Sequence, residues 1–127
     1  MKNALVTGCE GQLGKIFISE LLNLNYNVIG IDIKQKSNNK NIKYIKSDIT
    51  NSSELKEKLN PKIIKNVDLL INNAGVSVFT PFEDRTDKEI DYVFNVNLKA
   101  PILLSQIIFN NFFKPHKKGC IVNIASI

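Results

Sequence analysis

Residues 5–14, LVTGCEGQLG, constrain this chain more than any other stretch. They read as an apolar strand, a turn with glycine at positions 8, 11 and 14, and the first turn of a helix. Glycine tolerates positive φ and has no Cβ to hold a ligand away from the backbone. A helix starting near Gly11 offers unpaired N–H groups and the positive end of its dipole, so turn and helix together form a seat for a pyrophosphate. A glycine triplet alone is a weak signal. Between a strand and an amphipathic helix it points to a dinucleotide.

The rest of the chain alternates in the same way. Residues 3–6 form a first strand and 11–26 a first helix, with Leu13, Ile16, Phe17, Leu21 and Leu24 as its apolar stripe. Residues 27–31 form a second strand, nearly all apolar, as a strand covered on both faces should be. It ends at Asp32, and residues 34–41 are a polar loop without periodicity. A third strand, 42–45, leads to Asp48. Asn51 with Glu54 has the pattern of a capping box, ahead of a short helix carrying Leu55 and Leu59 and closed by Pro61. A fourth strand, 67–71, runs into Asn72-Asn73-Ala74-Gly75. Thr86 with Glu89 is a second capping box. It opens a helical pattern reaching about Phe113, whose stripe is Ile90, Val93, Phe94, Leu98, Ile102 and Phe109. Gly119 breaks it before a fifth strand, 120–124.

Strands alternating with helices imply right-handed crossovers and a parallel sheet. With the glycine turn after the first strand, the expected architecture is α/β, a doubly wound Rossmann-like sheet in the order 3-2-1-4-5. Ligands of such sheets lie at the carboxyl ends of the strands. Those ends hold Gly8, Asp32, Asp48, Asn72 to Gly75, and Ser126, so the polar residues that stand out fall on one edge.

The 127 residues, 43% hydrophobic, suffice for one core, and residues 1–127 are expected to form a single domain. No run reads as long and apolar enough to span a bilayer, and Met1-Lys2-Asn3 enters a strand at once, so neither membrane nor signal peptide is expected. Cys9 and Cys120 have no metal-ligand spacing and no disulfide framework, which fits a reducing cytoplasm. The net charge of +5 comes from lysines scattered along the chain apart from Lys114, Lys117 and Lys118; with Arg85 the sole arginine, they read as solvated faces rather than a nucleic-acid site.

Asp32 follows the glycine turn by about 20 residues, where an acid binds both hydroxyls of an adenosine ribose and repels a 2′-phosphate. Glu10 adds to that repulsion, Lys34 and Lys36 oppose it, and the balance favours NAD over NADP. The plainer reading of Asp32 is a strand-end acid capping a turn. Asp48 can accept from an adenine amino group with Ile49 over the ring, or Asp48 and Thr50 are ordinary turn formers. Asn97 falls within the apolar stripe of its helix, where a buried amide needs a partner. Pro101, four residues on, has no N–H for the Asn97 carbonyl. A kink with that carbonyl open to water or ligand is expected; the alternative is an asparagine that merely shapes the kink. Cys9 reads as a small loop filler and His116 as part of a solvated turn. None of Tyr26, Tyr44 and Tyr92 is followed by lysine four residues later.

Together these residues resemble the N-terminal part of the short-chain dehydrogenase/reductase family, across all 127 positions. Thr7-Gly8 through Gly14 is similar to the family's cofactor loop, Asp48-Ile49 to its adenine contact, and Asn72-Asn73-Ala74-Gly75 to its NNAG motif. Asn97 falls at the position of the catalytic asparagine, and residues 119–126 resemble the strand that leads to the catalytic serine, here Ser126. The resemblance implies cofactor contacts at Gly8, Gly11, Leu13, Gly14, Asp32, Asp48, Ile49, Asn73, Ala74 and Gly75, with Asn97 and Ser126 in the catalytic group. It implies an NAD-dependent oxidoreductase moving hydride between nicotinamide and an alcohol or carbonyl, sugars included. The family's Tyr-x-x-x-Lys segment belongs beyond Ser126, and its last strands are missing, so this chain is expected to be truncated and catalytically incomplete. The glycine spacing is similar to the sugar-nucleotide epimerase and dehydratase branch, whereas NNAG is similar to the shorter reductases. A non-catalytic NAD-binding or regulatory module, or one chain of a split enzyme, would use the same loop. The helix at 100–113 is apolar around most of its circumference, which implies burial on more than one side and a homo-oligomer formed through it.

Overall fold

Alternate side chains of a strand go to opposite faces of its sheet. In this chain both faces of the inner strands are apolar, so both must be covered. The computed structural model describes residues 1–126. It contains strands β1 (Asn3–Thr7), β2 (Asn27–Asp32), β3 (Lys43–Lys46), β4 (Leu69–Asn72) and β5 (Cys120–Asn123). All neighbours pair in parallel, in the expected order β3-β2-β1-β4-β5. Helix α1 (Gln12–Asn23) covers one face, packing Ile18 and Leu21 on Ala4, Val6, Val28 and Ile71. Helices α2 (Ser52–Lys58) and α3 (Asp87–His116) cover the other, where Leu55, Leu104, Ile108 and Phe112 meet Leu5, Ile29, Ile31 and Leu70. Each fully buried aliphatic side chain contributes about 1.5–3 kcal/mol.

The helix faces differ from those read in the sequence. In α1 the buried line is Gly14, Ile18 and Leu21, while Leu13, Ile16 and Leu24 are exposed. Gly14 sits directly against the backbone of Gly8 and Cys9 just beyond the end of β1, which sets the line through Gly14 toward the sheet. In α3 the buried line is Val96, Ala100, Leu104, Ile108 and Phe112. The expected stripe of Ile90, Phe94, Leu98, Ile102 and Phe109 is 42–59% exposed, and Asn97 is exposed with it rather than buried.

The expected kink at Asn97 is a π turn within an unbroken helix. Asn95–Lys99 form one π turn, closed by the Ala100 N–H on the Asn95 carbonyl. Phe109–Phe113 form a second, closed by the Lys114 N–H on the Phe109 carbonyl. Pro101 and Pro115 follow these turns. Proline lacks an N–H and its ring crowds the carbonyl four residues back. Widening the turn by one residue accommodates it. The helix extends to His116, whose Nδ1 donates to the Phe112 carbonyl at 2.8 Å, so this residue ends a helix rather than lying in a turn, and it is exposed as expected.

Both helix starts at which the sequence shows a capping-box pattern are capped. Thr86 and Glu89 form the full reciprocal box. Asn51 accepts from the Glu54 N–H at 3.1 Å, but the Glu54 carboxylate reaches the Asn51 side-chain amide instead of its backbone. That backbone N–H is already taken by the Asp48 carbonyl. By length and composition alone α3 could cross a membrane, contrary to the sequence reading. Its line through Leu104, Ile108 and Phe112 is packed on the sheet. Strand β5 is one of the sheet's two edges, and its Ile121 and Val122 remain partly exposed.

Candidate functional site

The glycine turn leaves β1 through Gly8, which adopts φ +63°, a conformation that favours glycine. A Cβ on Gly14 would lie 2.1 Å from the Gly8 carbonyl oxygen, so only glycine lets α1 begin this close to the turn. At Gly11 a Cβ would meet only that same oxygen, at 3.3 Å, with no other atom within 4 Å. Helices α2 and α3 start with side-chain caps, whereas α1 has none at Gly11 and no acid in its first turn. Its first N–H groups therefore point into the space beyond the turn, an electropositive seat suited to an anion.

The end of β4 is tied to that turn by Thr7, whose buried hydroxyl accepts from the Asn73 and Ala74 N–H groups at 3.0 Å each. The Asn73 amide donates in return to the Thr7 and Gly8 carbonyls, at 3.0 and 3.2 Å. Asn72, buried beside them, donates to Asn123 Oδ1 at 2.9 Å and Ser105 Oγ at 3.2 Å, which fixes β5 and α3 relative to β4.

The carboxyl edge opens into a cleft of about 520 Å³. Gly8, Gly11, Leu13, Asp32, Asp48, Ile49, Asn73, Ala74 and Gly75 all line it, together with Glu10, Lys34, Ser47 and Tyr92. Gly14 is buried beneath the turn and does not line the cleft. A second, adjoining groove shares Leu13, Asn73, Ala74, Gly75 and Val76 with the first and contains Asn97 and Ser126. The sequence-predicted residues thus gather in two connected depressions on one edge.

Asp32 stands at one end of the cleft. Its Oδ2 accepts from the Glu10 N–H at 2.9 Å and its Oδ1 from the Lys34 N–H at 3.2 Å. It does cap a turn, as the plainer reading held, and its carboxylate still lines the cleft. The loop after β2 is fastened over this corner. Ser37 donates to the Glu10 carboxylate, Lys34 Nζ donates to the Glu10 carbonyl at 3.2 Å, and the Tyr44 hydroxyl donates to the Lys34 carbonyl. Burial and then the Asp32 charge push the Tyr44 phenol up to about 12. Cys9 is fully buried, with Gly30 beneath it so close that a Cβ there would lie 2.8 Å from its Sγ. Burial, then Asp32 and Glu10, push its thiol to about 12, so it is a filler with no thiolate character. Asp48 Oδ1 accepts from the Thr50 N–H and hydroxyl, at 2.9 and 2.7 Å, so it forms a turn as well as lining the cleft.

Asn97 is engaged through its side chain. Its Oδ1 accepts from the Val76 N–H at 2.8 Å and its Nδ2 donates to the Val76 carbonyl at 2.7 Å. The amide thereby clamps the loop after β4 to the first π turn. The roles of Thr7, Ser37, Asn123 and Ser105 had no sequence signal, because each depends on a partner brought in from a distant element. Among the described residues no group of acidic, histidine or cysteine side chains is arranged to hold a metal ion.

This geometry has counterparts of known class. A profile described as short chain dehydrogenase matches residues 2–127, and the chain belongs to that family. The (S)-acetoin-forming diacetyl reductase of Staphylococcus epidermidis is 30% identical over 99% of this chain and 54% of its own length. The 3-oxoacyl-(acyl-carrier-protein) reductase FabG of Buchnera aphidicola is 34% identical over 99% of this chain and 55% of its own. A short chain dehydrogenase from Leptospira borgpetersenii with bound NAD+ is 40% identical, with a TM-score of 0.88 over 98% of this chain and 51% of that one. ElxO with NADP bound is 25% identical, with a TM-score of 0.89. The chain spans about half the length of the curated relatives it matches.

Proposed function

We propose that this chain is the cofactor-binding part of an NAD-dependent oxidoreductase acting on a small alcohol or carbonyl substrate. The observation that carries the reading is the cleft itself. With Gly8 and Gly11 in its lining and an uncapped helix start at one wall, it has room for a pyrophosphate, and Gly14, which has no Cβ to strike the Gly8 carbonyl, lets that helix begin close behind the turn. The residues present therefore fit a nicotinamide dinucleotide. Gly11, Leu13 and the α1 N–H groups would hold its phosphates, Asp32 its adenosine ribose, Asp48 and Ile49 its adenine, and Asn73 to Gly75 its nicotinamide half. When bound, the nicotinamide supplies or accepts a hydride. Asn97 keeps the loop at Val76 in position, and Ser126 in the adjoining groove would orient the substrate oxygen.

NAD is preferred over NADP in this reading because two carboxylates, Asp32 and Glu10, stand at the ribose end. Lys34, which lines the same cleft, is turned onto the Glu10 carbonyl, and Lys15 lies 3.9 Å from the Glu10 carboxylate. The bound NAD+ of the Leptospira protein supports that preference and the NADP of ElxO weighs against it. Titration of the purified chain with NADH and NADPH, read by nucleotide fluorescence, tests it. Binding of NADH with NADPH at least tenfold weaker is expected; equal affinities would refute the preference, and no binding would refute the reading. Turnover by this chain alone is not expected, since no tyrosine in it precedes a lysine at the required spacing.

Two further parts of the proposal concern surroundings. The exposed side of α3, with Leu98, Ile102 and Phe109, supports association with a second copy, and a monomer in sedimentation at micromolar concentration would count against it. Cys120, an exposed free thiol, supports a reducing cytoplasmic location.

A further inference from the structure

One buried polar side chain of the cleft has no partner among the described residues. Ser47 lines the cleft, is only 3% exposed, and its Oγ makes no hydrogen bond to any of the described residues. The strand direction fixes where that hydroxyl lies. Ser47 extends the β2–β3 ladder by one step, its N–H donating to the Asp32 carbonyl at 3.0 Å. Side chains two apart share a face, so Ser47 falls with Ile45, which packs on the α2–α3 side of the sheet. Ile31, Ile49 and Val96 wall the cleft on that same side. The result is an apolar slot with a single unsatisfied hydroxyl in its wall and the Asp48 carboxylate at its rim.

A flat heteroaromatic ring with polar edges fits such a slot. Its faces lie against the aliphatic walls and one edge atom meets the hydroxyl. We infer that Ser47 is a base-selecting contact, whose hydroxyl hydrogen-bonds the adenine ring of the dinucleotide. The inference rests on the dinucleotide reading and adds a residue that the glycine loop, the ribose acid and Asp48 do not supply. It also makes a prediction of opposite signs. Leaving a buried hydroxyl unpaired destabilises the free protein, and removing it relieves that cost. Removing it from the complex deletes a made hydrogen bond.

The test compares the wild-type chain with Ser47→Ala and Ser47→Cys. Melting temperature is measured without ligand, and affinities are measured for NADH, AMP and reduced nicotinamide mononucleotide, which lacks adenosine. Ser47→Ala should melt above wild type yet bind NADH and AMP roughly three- to tenfold more weakly, the equivalent of one hydrogen bond. Its affinity for the mononucleotide should be unchanged, and Ser47→Cys, a weaker donor of similar size, should fall between. If wild type binds NADH and AMP and Ser47→Ala binds them equally well, the hydroxyl is served by water or left unused; the inference then fails while the dinucleotide reading stands. If wild type binds neither, both fail.

Discussion

The two glycines that flank the start of α1 separate a structural requirement from a ligand requirement, and alanine at each position tests that separation. At Gly14 an added Cβ would lie 2.1 Å from the Gly8 carbonyl oxygen and 2.9 Å from Cys9 Cα. Both are backbone atoms, so no side chain can swing away, and the pair must part by more than an ångström. Overpacking of this kind costs about 1–3 kcal/mol, and backbone against backbone belongs at the upper end. Alanine returns at most about 1 kcal/mol of helix propensity. The net loss of about 2 kcal/mol corresponds to a fall of roughly 8 °C in melting temperature for a chain of this size. Gly11 has φ −78°, open to any residue, and its added Cβ would meet one oxygen at 3.3 Å. Alanine there costs about 0.5 kcal/mol as a poorer N-cap, a fall of about 2 °C. Its methyl would enter the open side of the turn and weaken NADH binding in a protein that is still stable. Circular dichroism melts and NADH titrations of both variants decide the matter. A Gly14→Ala protein that melts within about 2 °C of wild type, or above Gly11→Ala, would refute the reasoning.

Three further outcomes are expected. A thiol reagent at pH 8 should modify Cys120 alone in the native chain and both cysteines after denaturation, since burial holds the Cys9 thiol at about 12. Hydrogen bonds from Thr80 and Thr86 hold Glu89 below its ordinary value of 4.5, so the unfolded chain takes up this proton more readily than the folded one. The contribution of the capping box is therefore complete above pH 4.5 and is lost as pH falls through the depressed folded value; Thr86 and Glu89 amide protection should fade there, and persistence after full acidification would contradict it. Asn97→Ala removes both hydrogen bonds to Val76 and should cost about 1 kcal/mol while sharply raising amide exchange at residues 74–80; unchanged exchange would mean that the loop is held by other contacts.

The sheet was legible because its signals are local. Apolar runs, the glycine turn and the capping pairs each lie within a few residues, and together they dictate the order of five strands. Helix orientation was not, because α1 and α3 carry apolar residues on two sides and sequence alone does not say which side meets the sheet. Gly14 held the answer for α1, but as a packing distance rather than as hydrophobicity. Most of the expected cofactor residues gather in one cleft because topology places the ends of β1 to β4 together, a consequence of order alone. The partners of Asn97, Asn72 and Glu10 lie 21, 51 and 27 residues away, on elements whose contact no local pattern encodes.

The two π turns of α3 set a constraint on length as well as on composition. Val96, Ala100, Leu104, Ile108 and Phe112 recur every fourth residue. An α-helix overshoots a full rotation by about 40° in four residues, so such a line drifts by about 160° over four steps. Drawn on an ideal wheel, it would begin on the sheet and end close to the solvent side. The wider turns at Asn95–Lys99 and Phe109–Phe113 take up that drift and keep the line in phase with a flat partner. Deleting a single residue from the α-helical stretch between them, at Ile102 or Leu103, would rotate everything downstream by about 100°. Leu104 and Ile108 would leave the sheet, and Ser105 would leave Asn72, without any core residue having been replaced. In this segment the count of residues matters as much as their kind, and substitutions should be tolerated where one-residue insertions or deletions are not.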